Sequence, residues 1–259
     1  MTKKSIVNWK LFAILFGASL LGIICVMPFV LTLQSDLLDQ VPLSVDIIVL
    51  LSVAQSGVVF FVLVLLGLVL SKKVGLGAPI LKSWIKGEKV RTQFGSILKI
   101  SIGIGVVMGF LIIVGDWFFS LSVDLSSIAV VEPPIWQGFL ASFYGGINEE
   151  ILMRLFLVSF FVWLFNKIRR KPSFESSSSI LWISIVLSAI IFGIGHLPVT
   201  SSLVTLTPMI VVRAVVLNGI GGIAFGWLYW KKGLESAMIS HFSTDIILYV
   251  VLPIAVLIL

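Results

Sequence analysis

The chain has 259 residues, of which 59% are hydrophobic and only 12% are charged, and its mean hydropathy is +1.17. A soluble domain of this length carries roughly twice that charged fraction, so the composition excludes a water-soluble protein. The hydrophobic residues lie in blocks of roughly 20 or more, each long enough to cross a hydrocarbon core of about 30 Å as an α-helix. The sequence therefore predicts an all-α, multi-pass transmembrane helical bundle.

Seven hydrophobic blocks have the length of a membrane span, and the fourth is long enough to break into an eighth span or a re-entrant segment. The predicted spans are 11–33, 43–70, 97–123, 135–165, 180–198, 208–230 and 235–259. We expect the first span to be retained, because its apolar run of about 23 residues is too long for a cleaved signal peptide. The single cysteine, Cys25, excludes a disulfide framework.

The lysines and arginines of the predicted loops all lie on one side of this topology. They are Lys3, Lys4, Lys10, Lys72, Lys73, Lys82, Lys86, Lys89, Arg91, Lys99, Lys167, Arg169, Arg170, Lys171, Lys231 and Lys232. The charged residues of the opposite loops are all acidic: Asp36, Asp39, Asp46, Asp124 and Glu132. We therefore expect a cell-membrane protein with a cytoplasmic N-terminus and an external C-terminus. The net charge of +6 then reflects this orientation and attraction to anionic lipid, not nucleic-acid binding.

The chain divides into two parts by content. Residues 1–134 hold three spans and a cytoplasmic loop, 71–93, which we expect to lie at the membrane interface as an amphipathic helix. Residues 135–259 hold four spans and the motifs that carry chemistry. Gly105 with Gly109, and Gly222 with Gly226, have the small-xxx-small spacing that predicts close helix packing.

Eight ionisable residues fall inside the predicted spans, and they are the candidates for a functional site. They are Asp116, Glu149, Glu150, Arg154, His196, Arg213, His241 and Asp245. Each costs at least about 2.5 kcal/mol in hydrocarbon, so each must face the protein interior or a water-filled cavity and find a partner. We expect Asp116 at the external interface, and Arg213 pairs either with a carboxylate of the site or with a structural carboxylate elsewhere.

The fourth span contains the sequence N-E-E-I-L-M-R, with Glu149, Glu150 and Arg154. At about 100° per residue, Glu150 and Arg154 share one helix face at i and i+4, which favours an ion pair, while Glu149 points away. One carboxylate can then be held by the arginine while the other acts as a base. A single buried pair of this kind is equally consistent with helix packing. A second, unpaired glutamate adds desolvation cost without adding cohesion.

The two histidines of the chain lie in the fifth and seventh spans. His196 follows Gly195 and precedes Pro198 by two residues, where the helix is weakened. Alone, such a histidine is more often a hydrogen-bonded interfacial side chain. His241 and Asp245 are i and i+4, a spacing at which the carboxylate can accept the ring N–H or both groups can reach one centre. Three spans together supply three acids and two imidazoles, which indicates a functional site.

The three motifs together resemble the signature of the CPBP family of prenyl-endopeptidase and bacteriocin-processing intramembrane proteases, also called the Abi or type II CAAX protease family. The pattern is E-E-x-x-x-R in one span, F-x-x-x-H in the next, and H-x-x-x-D two spans later. The matching residues are Glu149, Glu150, Arg154, Phe192, His196, His241 and Asp245. The segment G-W-L-Y-W-K-K-G at 226–233 also resembles the family, and the resemblance covers residues 137–249.

The resemblance implies that Glu149 activates the hydrolytic water, with His196 in direct support, His241 near the carbonyl or a metal, and Arg154 orienting Glu150. Family members have been described both as metalloproteases and as glutamate-dependent enzymes without a metal. Glu149, His196 and His241 match a two-histidine, one-carboxylate zinc set, and we favour metal-assisted chemistry slightly. Asp245 stands where many members have asparagine. An ionised aspartate cannot donate to an oxyanion, so we interpret it as an orienter of His241 or a metal ligand.

The predicted function is an intramembrane endopeptidase that cuts a membrane-associated peptide, such as a pheromone or bacteriocin precursor or a prenylated chain. The alternative is a non-enzymatic membrane partner in bacteriocin immunity or sensor-kinase regulation, which need not retain both glutamates and both histidines. A proton-coupled transporter would use the same groups as a relay, but no inverted repeat supports it. The expected partners are a peptide or protein substrate and the lipid bilayer, and the sequence does not indicate an oligomeric state.

The predicted topology separates the two histidines in depth. His196 falls near the external end of the fifth span and His241 near the cytoplasmic end of the seventh. For the two groups to meet, we expect the spans to be offset, tilted or broken.

Overall fold

A computed structural model describes residues 7–38, 40–122, 133–170 and 176–258, and helices make up most of these ranges. Its α-helices are α1 (Trp9–Leu33), α2 (Ser35–Leu38), α3 (Val45–Lys73), α4 (Pro79–Ile85), α5 (Arg91–Ser120), α6 (Ile135–Phe143), α7 (Ser159–Ile168), α8 (Ser178–Gly195), α9 (Leu197–Leu203), α10 (Pro208–Lys232), α11 (Leu234–Ile246) and α12 (Leu252–Ile258). Three π-helical segments join α6 to α7 and α11 to α12: Tyr144–Glu149, Ile151–Val158 and Ile247–Val251.

Seven segments of the described chain are long and apolar enough to cross a membrane, which confirms the predicted multi-pass helical bundle. They are Trp9–Leu33, Val45–Lys73, Arg91–Ser120, Ile135–Ile168, Ser178–Leu203, Pro208–Lys232 and Leu234–Ile258. The fourth segment does not divide into two spans. It forms a single continuous helical span, because the two π-helical segments connect α6 directly to α7.

Close packing between α8 and α10, and between α5 and α11, depends on the two predicted glycine pairs. A Cβ on Gly226 would lie 2.7 Å from the Ile185 side chain, and one on Gly222 would lie 2.8 Å from Ala189. On α5, a Cβ on Gly105 would lie 2.6 Å from the Ser243 side chain of α11, and one on Gly109 would lie 2.7 Å from the side chain of Ile247, the first residue after α11. Distances this short leave no room for a side chain, so the prediction that these glycines are packing positions is confirmed.

The N-terminal spans pack directly against the segment that carries the E-E motif. The buried face of α1 includes Ser19 and Gly22, and the Nδ2 of Asn148 donates to the Ser19 backbone carbonyl at 3.1 Å. On α3, a Cβ on Gly67 would lie 2.9 Å from the Leu155 side chain. The division at residue 134 stays a prediction, and across it the two parts share one core.

The loop between α3 and α5 contains a shorter helix than predicted. Only Pro79–Ile85 is helical, because Gly77 before it and Gly87 after it have φ of +131° and +80°, which end a helix. The Glu235 Oε1 accepts a hydrogen bond from the Leu81 backbone N–H at 2.8 Å. The loop is therefore fixed to the start of α11.

Basic residues from distant loops meet at one end of the bundle. The Lys73 and Lys167 ammonium groups lie 5.7 Å and 5.1 Å from the centroid of the same ring, that of Trp163. The Leu234 N–H donates to the Gly77 carbonyl at 2.9 Å, which joins the loop after α3 to the turn after α10. The ends of α3, α7 and α10 thus share one end, as the loop charges predict. Lys3, Lys4, Asp39, Asp124, Glu132 and Lys171 lie outside the described residues.

We expect this basic end to face the cytoplasm. A topology reporter fused after Lys171 should give a cytoplasmic signal and one fused near Ser127 an external signal, because lysine-rich and arginine-rich loops are retained on the cytoplasmic side. Both fusion points lie outside the described residues. The measurement is paired alkaline phosphatase and fluorescent-protein fusions, and the reverse pattern would contradict the predicted orientation.

Candidate active site

The E-E motif lies where two π-helical segments meet. Glu149 ends the first segment, Glu150 lies between the two, and the second begins at Ile151. A π-helical turn is wider than an α-helical one and often occurs at a functional site. The regular α-helix predicted for these residues was therefore wrong. The i,i+4 pairing of Glu150 with Arg154 nevertheless forms.

Glu150 and Arg154 form a fully buried ion pair. The Arg154 Nη1 lies 2.9 Å from the Glu150 Oε1, with side-chain exposures of 1% and 0%. The Arg154 Nη2 donates to the Gly222 carbonyl at 3.1 Å, and its guanidinium carbon lies 5.3 Å and 5.4 Å from the ring centroids of Phe192 and Phe225. These contacts fix the arginine from four sides, so it can hold Glu150 in one position.

Glu150 also positions His241, which is a role the sequence did not reveal. The His241 Nδ1 lies 2.7 Å from the Glu150 Oε1, and an ionised carboxylate can only accept, so Nδ1 donates its proton. The imidazole stacks on Phe225 with a centroid distance of 4.6 Å and an interplanar angle of 22°. The Nε2 of His241 is therefore the nitrogen left to take part in chemistry.

Two carboxylates face the Nε2 of His241. The Glu149 Oε2 lies 3.6 Å from it and the Asp245 Oδ1 lies 3.7 Å from it, and both distances exceed a direct hydrogen bond. Asp245 was predicted to be an orienter of His241 or a metal ligand. The orienting hydrogen bond comes from Glu150, so the first role is already filled, and the second stays a prediction. Asp245 and Glu149 instead stand on the reactive side of the ring.

One cavity of about 230 Å³ collects these groups inside the bundle. Its lining includes Glu149, His196, His241 and Asp245 together with apolar residues of α1, α8, α10 and the third π-helical segment. The structure thus brings the predicted convergent residues to a single cavity. Glu149 has a side-chain exposure of 23%, whereas Glu150 is completely buried behind it.

His196 reaches the cavity at a break between two helices. It lies between the last residue of α8, Gly195, and the first residue of α9, Leu197, so the span continues past it to Leu203. The predicted end of this span at residue 198 was wrong, because Pro198 lies in the first turn of α9, where proline is tolerated. The His196 Nδ1 lies 2.8 Å from the Phe192 carbonyl and donates to it, which leaves Nε2 as an acceptor.

Gly145 allows the two halves of the site to approach, and sequence reasoning did not identify it. A Cβ at this position would clash with the Asp245 Oδ2 and lie 3.3 Å from the His241 Nε2. Its neighbour Gly146 similarly faces Phe242, at 2.9 Å from the Phe242 Cβ. The G-G pair four residues before the E-E pair was the available signal, since paired small residues in a span predict close contact.

Replacing Gly145 with alanine should therefore lower both activity and stability. Overpacking of this kind typically costs about 1–3 kcal/mol and moves the side chains it meets, here Asp245 and His241. The matched control is Gly103→Ala on α5, where a Cβ meets nothing within 4 Å. Thermal unfolding in detergent and peptide cleavage measure the two effects. Equal behaviour of the two variants would show that Gly145 does not set the spacing of the site.

The zinc set predicted from the sequence does not fit this arrangement. A zinc ion needs its protein donors at about 2.0–2.2 Å from one centre. Within the described residues, no group of three or more histidine, cysteine, aspartate or glutamate side chains is placed to hold a metal ion. Glu149, His196 and His241 line one cavity without converging on one point, so the zinc ion stays a prediction that these donor positions do not support.

The two remaining intramembrane charges pair with each other, away from the site. The Nη2 and Nε of Arg213 lie 2.5 Å and 2.6 Å from the Asp116 Oδ1. Their side chains are 30% and 41% exposed, so the pair lies at the rim of the bundle. The sequence left two possible partners for Arg213, a carboxylate of the site or a structural carboxylate elsewhere. Arg213 contacts the second kind, Asp116.

The bundle brings two histidines and two acids to one internal cavity and holds one of the histidines by a buried Glu–Arg pair, an arrangement suited to acid–base chemistry inside a membrane. Residues 131–247 match the family model of the type II CAAX prenyl endopeptidase Rce1-like proteins, and this range contains every motif residue. The match and the motifs support the assignment of this part of the chain to the CPBP family of CAAX-type intramembrane proteases. Comparison with curated proteins and with solved structures gave no match. The family implies protease activity within the membrane.

Proposed function

We propose that the chain is an endopeptidase that hydrolyses a peptide bond of a membrane-associated or lipidated peptide, with Glu149 as the base that activates water. The observation that carries the proposal is the different surroundings of the two glutamates. Glu149 faces the cavity 3.6 Å from His241, whereas Glu150 is buried and held by Arg154 and His241. Only Glu149 is therefore free to accept a proton from a molecule in the cavity.

The proposed reaction begins with a water molecule between Glu149 and the substrate carbonyl. Glu149 takes one proton from the water while the water oxygen forms a bond to the carbonyl carbon. The tetrahedral intermediate then collapses, the C–N bond breaks, and the proton held by Glu149 passes to the leaving amine. The products are a carboxylic acid and an amine, and the acid then loses its proton to the amine or to solvent, so all atoms of the water are accounted for.

The neighbouring groups support this step in different ways. Glu150 and Arg154 are positioning residues, because they hold the His241 ring and do not line the cavity. With its proton on Nε2, His241 can donate to the developing oxyanion, a contribution that is strong where water is excluded. His196 presents its Nε2 acceptor to the same cavity and can accept from the water or the peptide N–H. Asp245 places a second carboxylate beside the His241 Nε2, at 3.7 Å.

The cavity wall favours an apolar, membrane-embedded substrate. Val26, Phe29 and Val30 of α1 line one side, and Leu248 and Tyr249 of the third π-helical segment line another. The Phe29 and Tyr249 rings are 5.6 Å apart, so the two sides meet at an aromatic contact. Apolar side chains of a peptide, or a lipid chain attached to it, would pack against these walls without exposing polar groups to hydrocarbon.

The test is cleavage by the purified protein in liposomes. Two peptides of one sequence that ends in a CAAX motif are compared, one with a farnesylated cysteine and one with a free cysteine. We expect mass spectrometry to detect cleavage of the membrane-anchored peptide into two fragments. The proposed activity would be contradicted if the protein cleaved neither this peptide nor any membrane-anchored peptide of another sequence.

A further inference from the structure

A second, strongly basic cavity lies at the end of the bundle where the basic loops meet. It has a volume of about 250 Å³ and lies between the loop after α3 and the turn after α10. Its lining includes the lysines Lys82, Lys231 and Lys232, with Trp230 and two glycines, Gly75 and Gly77. These lysines come from sequence positions about 150 residues apart, so only the fold brings them together.

We propose that this cavity binds a phosphate group, and that its physiological ligand is the headgroup of an anionic phospholipid. The inference goes beyond the proteolytic function and does not depend on it.

Gly75 and Gly77 line one side of the cavity with backbone, and the Lys82 ammonium group lies against Gly77 because this residue has no side chain. Gly75 and Gly77 have φ of +73° and +131°, conformations that side-chain-bearing residues rarely adopt. A Cβ on Gly77 would lie 2.8 Å from the Lys82 Nζ, while a Cβ on Gly75 would meet nothing within 4 Å. The Leu234 N–H bond to the Gly77 carbonyl ties this side to the opposite wall. The cavity is therefore built by backbone contacts and does not depend on flexible side chains alone.

The charges around the cavity are mostly of one sign. Lys72 and Lys86 act on Lys82 as like charges, and the buried Glu235 is the acid that opposes them. Burial lowers the pKa of the Lys82 ammonium, Glu235 raises it, and Lys72 and Lys86 lower it further. Glu235 carries a single negative charge against the positive charges of Lys72, Lys82 and Lys86, so it only partly offsets them. A bound dianion or monoanion would relieve the remaining repulsion.

Tryptophans place the cavity at the depth of lipid headgroups. The Trp230 ring packs against Trp182 with a centroid distance of 6.0 Å, and Trp182 is 40% exposed on the outer surface of the bundle. Tryptophan is enriched at the membrane–water interface, where its ring sits at headgroup level. The Lys231 Nζ lies 3.5 Å from the Trp230 centroid, which holds this ammonium at the same depth. Basic cavities between spans at this level bind acidic lipid headgroups in other membrane proteins.

The test uses the full chain with defined lipids. The site variant is Lys82→Gln/Lys231→Gln/Lys232→Gln, and the control is Lys10→Gln/Lys89→Gln/Lys99→Gln, which removes the same charge from exposed lysines. Native mass spectrometry measures retention of phosphatidylglycerol against phosphatidylcholine. We expect the unmodified chain and the control to retain phosphatidylglycerol preferentially, and the site variant to lose at least about tenfold of that preference. A triple Lys→Arg variant of the site should keep it, since arginine also binds phosphate.

Two further arms identify the source of the phosphate group. Inorganic phosphate and glycerol 1-phosphate are added to the detergent-solubilised chain, and thermal unfolding is followed. Stabilisation by phosphatidylglycerol but not by the soluble phosphates supports a lipid ligand. If the soluble phosphates also stabilise the chain, and the site variant loses this effect, the cavity is a phosphate site whose ligand is a free phosphate and not a lipid. Equal phosphatidylglycerol preference in the site variant and the control would overturn the site, as would the absence of any response to all three probes.

Discussion

Glu149→Gln should abolish peptide cleavage and leave a folded, membrane-inserted protein. Glutamine has nearly the same shape as glutamate but cannot take a proton from water, and loss of a general base costs about 10²- to 10⁴-fold in rate. The side chain is partly exposed in the cavity, and its contact with His241, at 3.6 Å, is longer than a hydrogen bond. The melting temperature should therefore change little. Removing one of the two negative charges beside His241 even relieves repulsion with Asp245.

Cleavage of the farnesylated peptide in liposomes and thermal unfolding in detergent measure the two effects on the same preparation. Glu149→Asp is a useful companion, because it keeps the carboxylate but moves it about one methylene away from the cavity centre. We expect it to retain part of the activity. Full activity of Glu149→Gln would defeat the assignment of the base. Activity lost in vitro with no change of any phenotype in cells would favour the membrane-partner function over proteolysis.

The spans were predictable because the bilayer imposes a simple length requirement. Each predicted span overlaps an observed one, because a run of about 20 apolar residues marks a span without reference to the rest of the fold. Local exceptions were not predictable. The π-helical turns beside Glu149 and the continuation of the chain through His196 into α9 depend on packing against other helices. The close contact of Gly145 and Gly146 with α11 is the part of this packing that the sequence indicates, since paired small residues predict close helix contact.

The site shows the same distinction between local and long-range information. The Glu150–Arg154 pair follows from spacing on one helix, and the structure contains it. The hydrogen bond of His241 to Glu150 joins residues 91 positions apart, so no spacing rule could assign it in place of the i,i+4 partner Asp245. The pairing of Arg213 with Asp116 was equally inaccessible, since it depends on how α5 and α10 are aligned in depth. The zinc set rested on residue types and on the family resemblance, and it stays a prediction.

Glu150→Gln should destabilise the protein and also lower its activity, in contrast to Glu149→Gln. The substitution leaves Arg154, which is 1% exposed, without its counter-charge, and breaking one partner of a buried pair typically costs about 3–5 kcal/mol. It also replaces the carboxylate that accepts the His241 Nδ1 proton at 2.7 Å, so the ring loses its orientation. We expect a lower melting temperature, a lower protein level in the membrane and reduced cleavage. Glu88→Gln, at a side chain that is 53% exposed beside Lys86, is the matched control and should change none of the three.

A double variant separates the stability effect from the catalytic one. Glu150→Gln/Arg154→Met removes both charges, and a buried ion pair replaced by uncharged groups of similar volume is often as stable as the original. The double variant should therefore melt at a higher temperature than Glu150→Gln alone. The effects of the two substitutions on stability would then not be additive, as expected for residues in direct contact. Its activity should stay low, because His241 still lacks the carboxylate that orients it. A double variant that melts lower than either single variant would mean that Arg154 stabilises the fold through Gly222 and the two phenylalanine rings, and that its charge is not balanced mainly by Glu150.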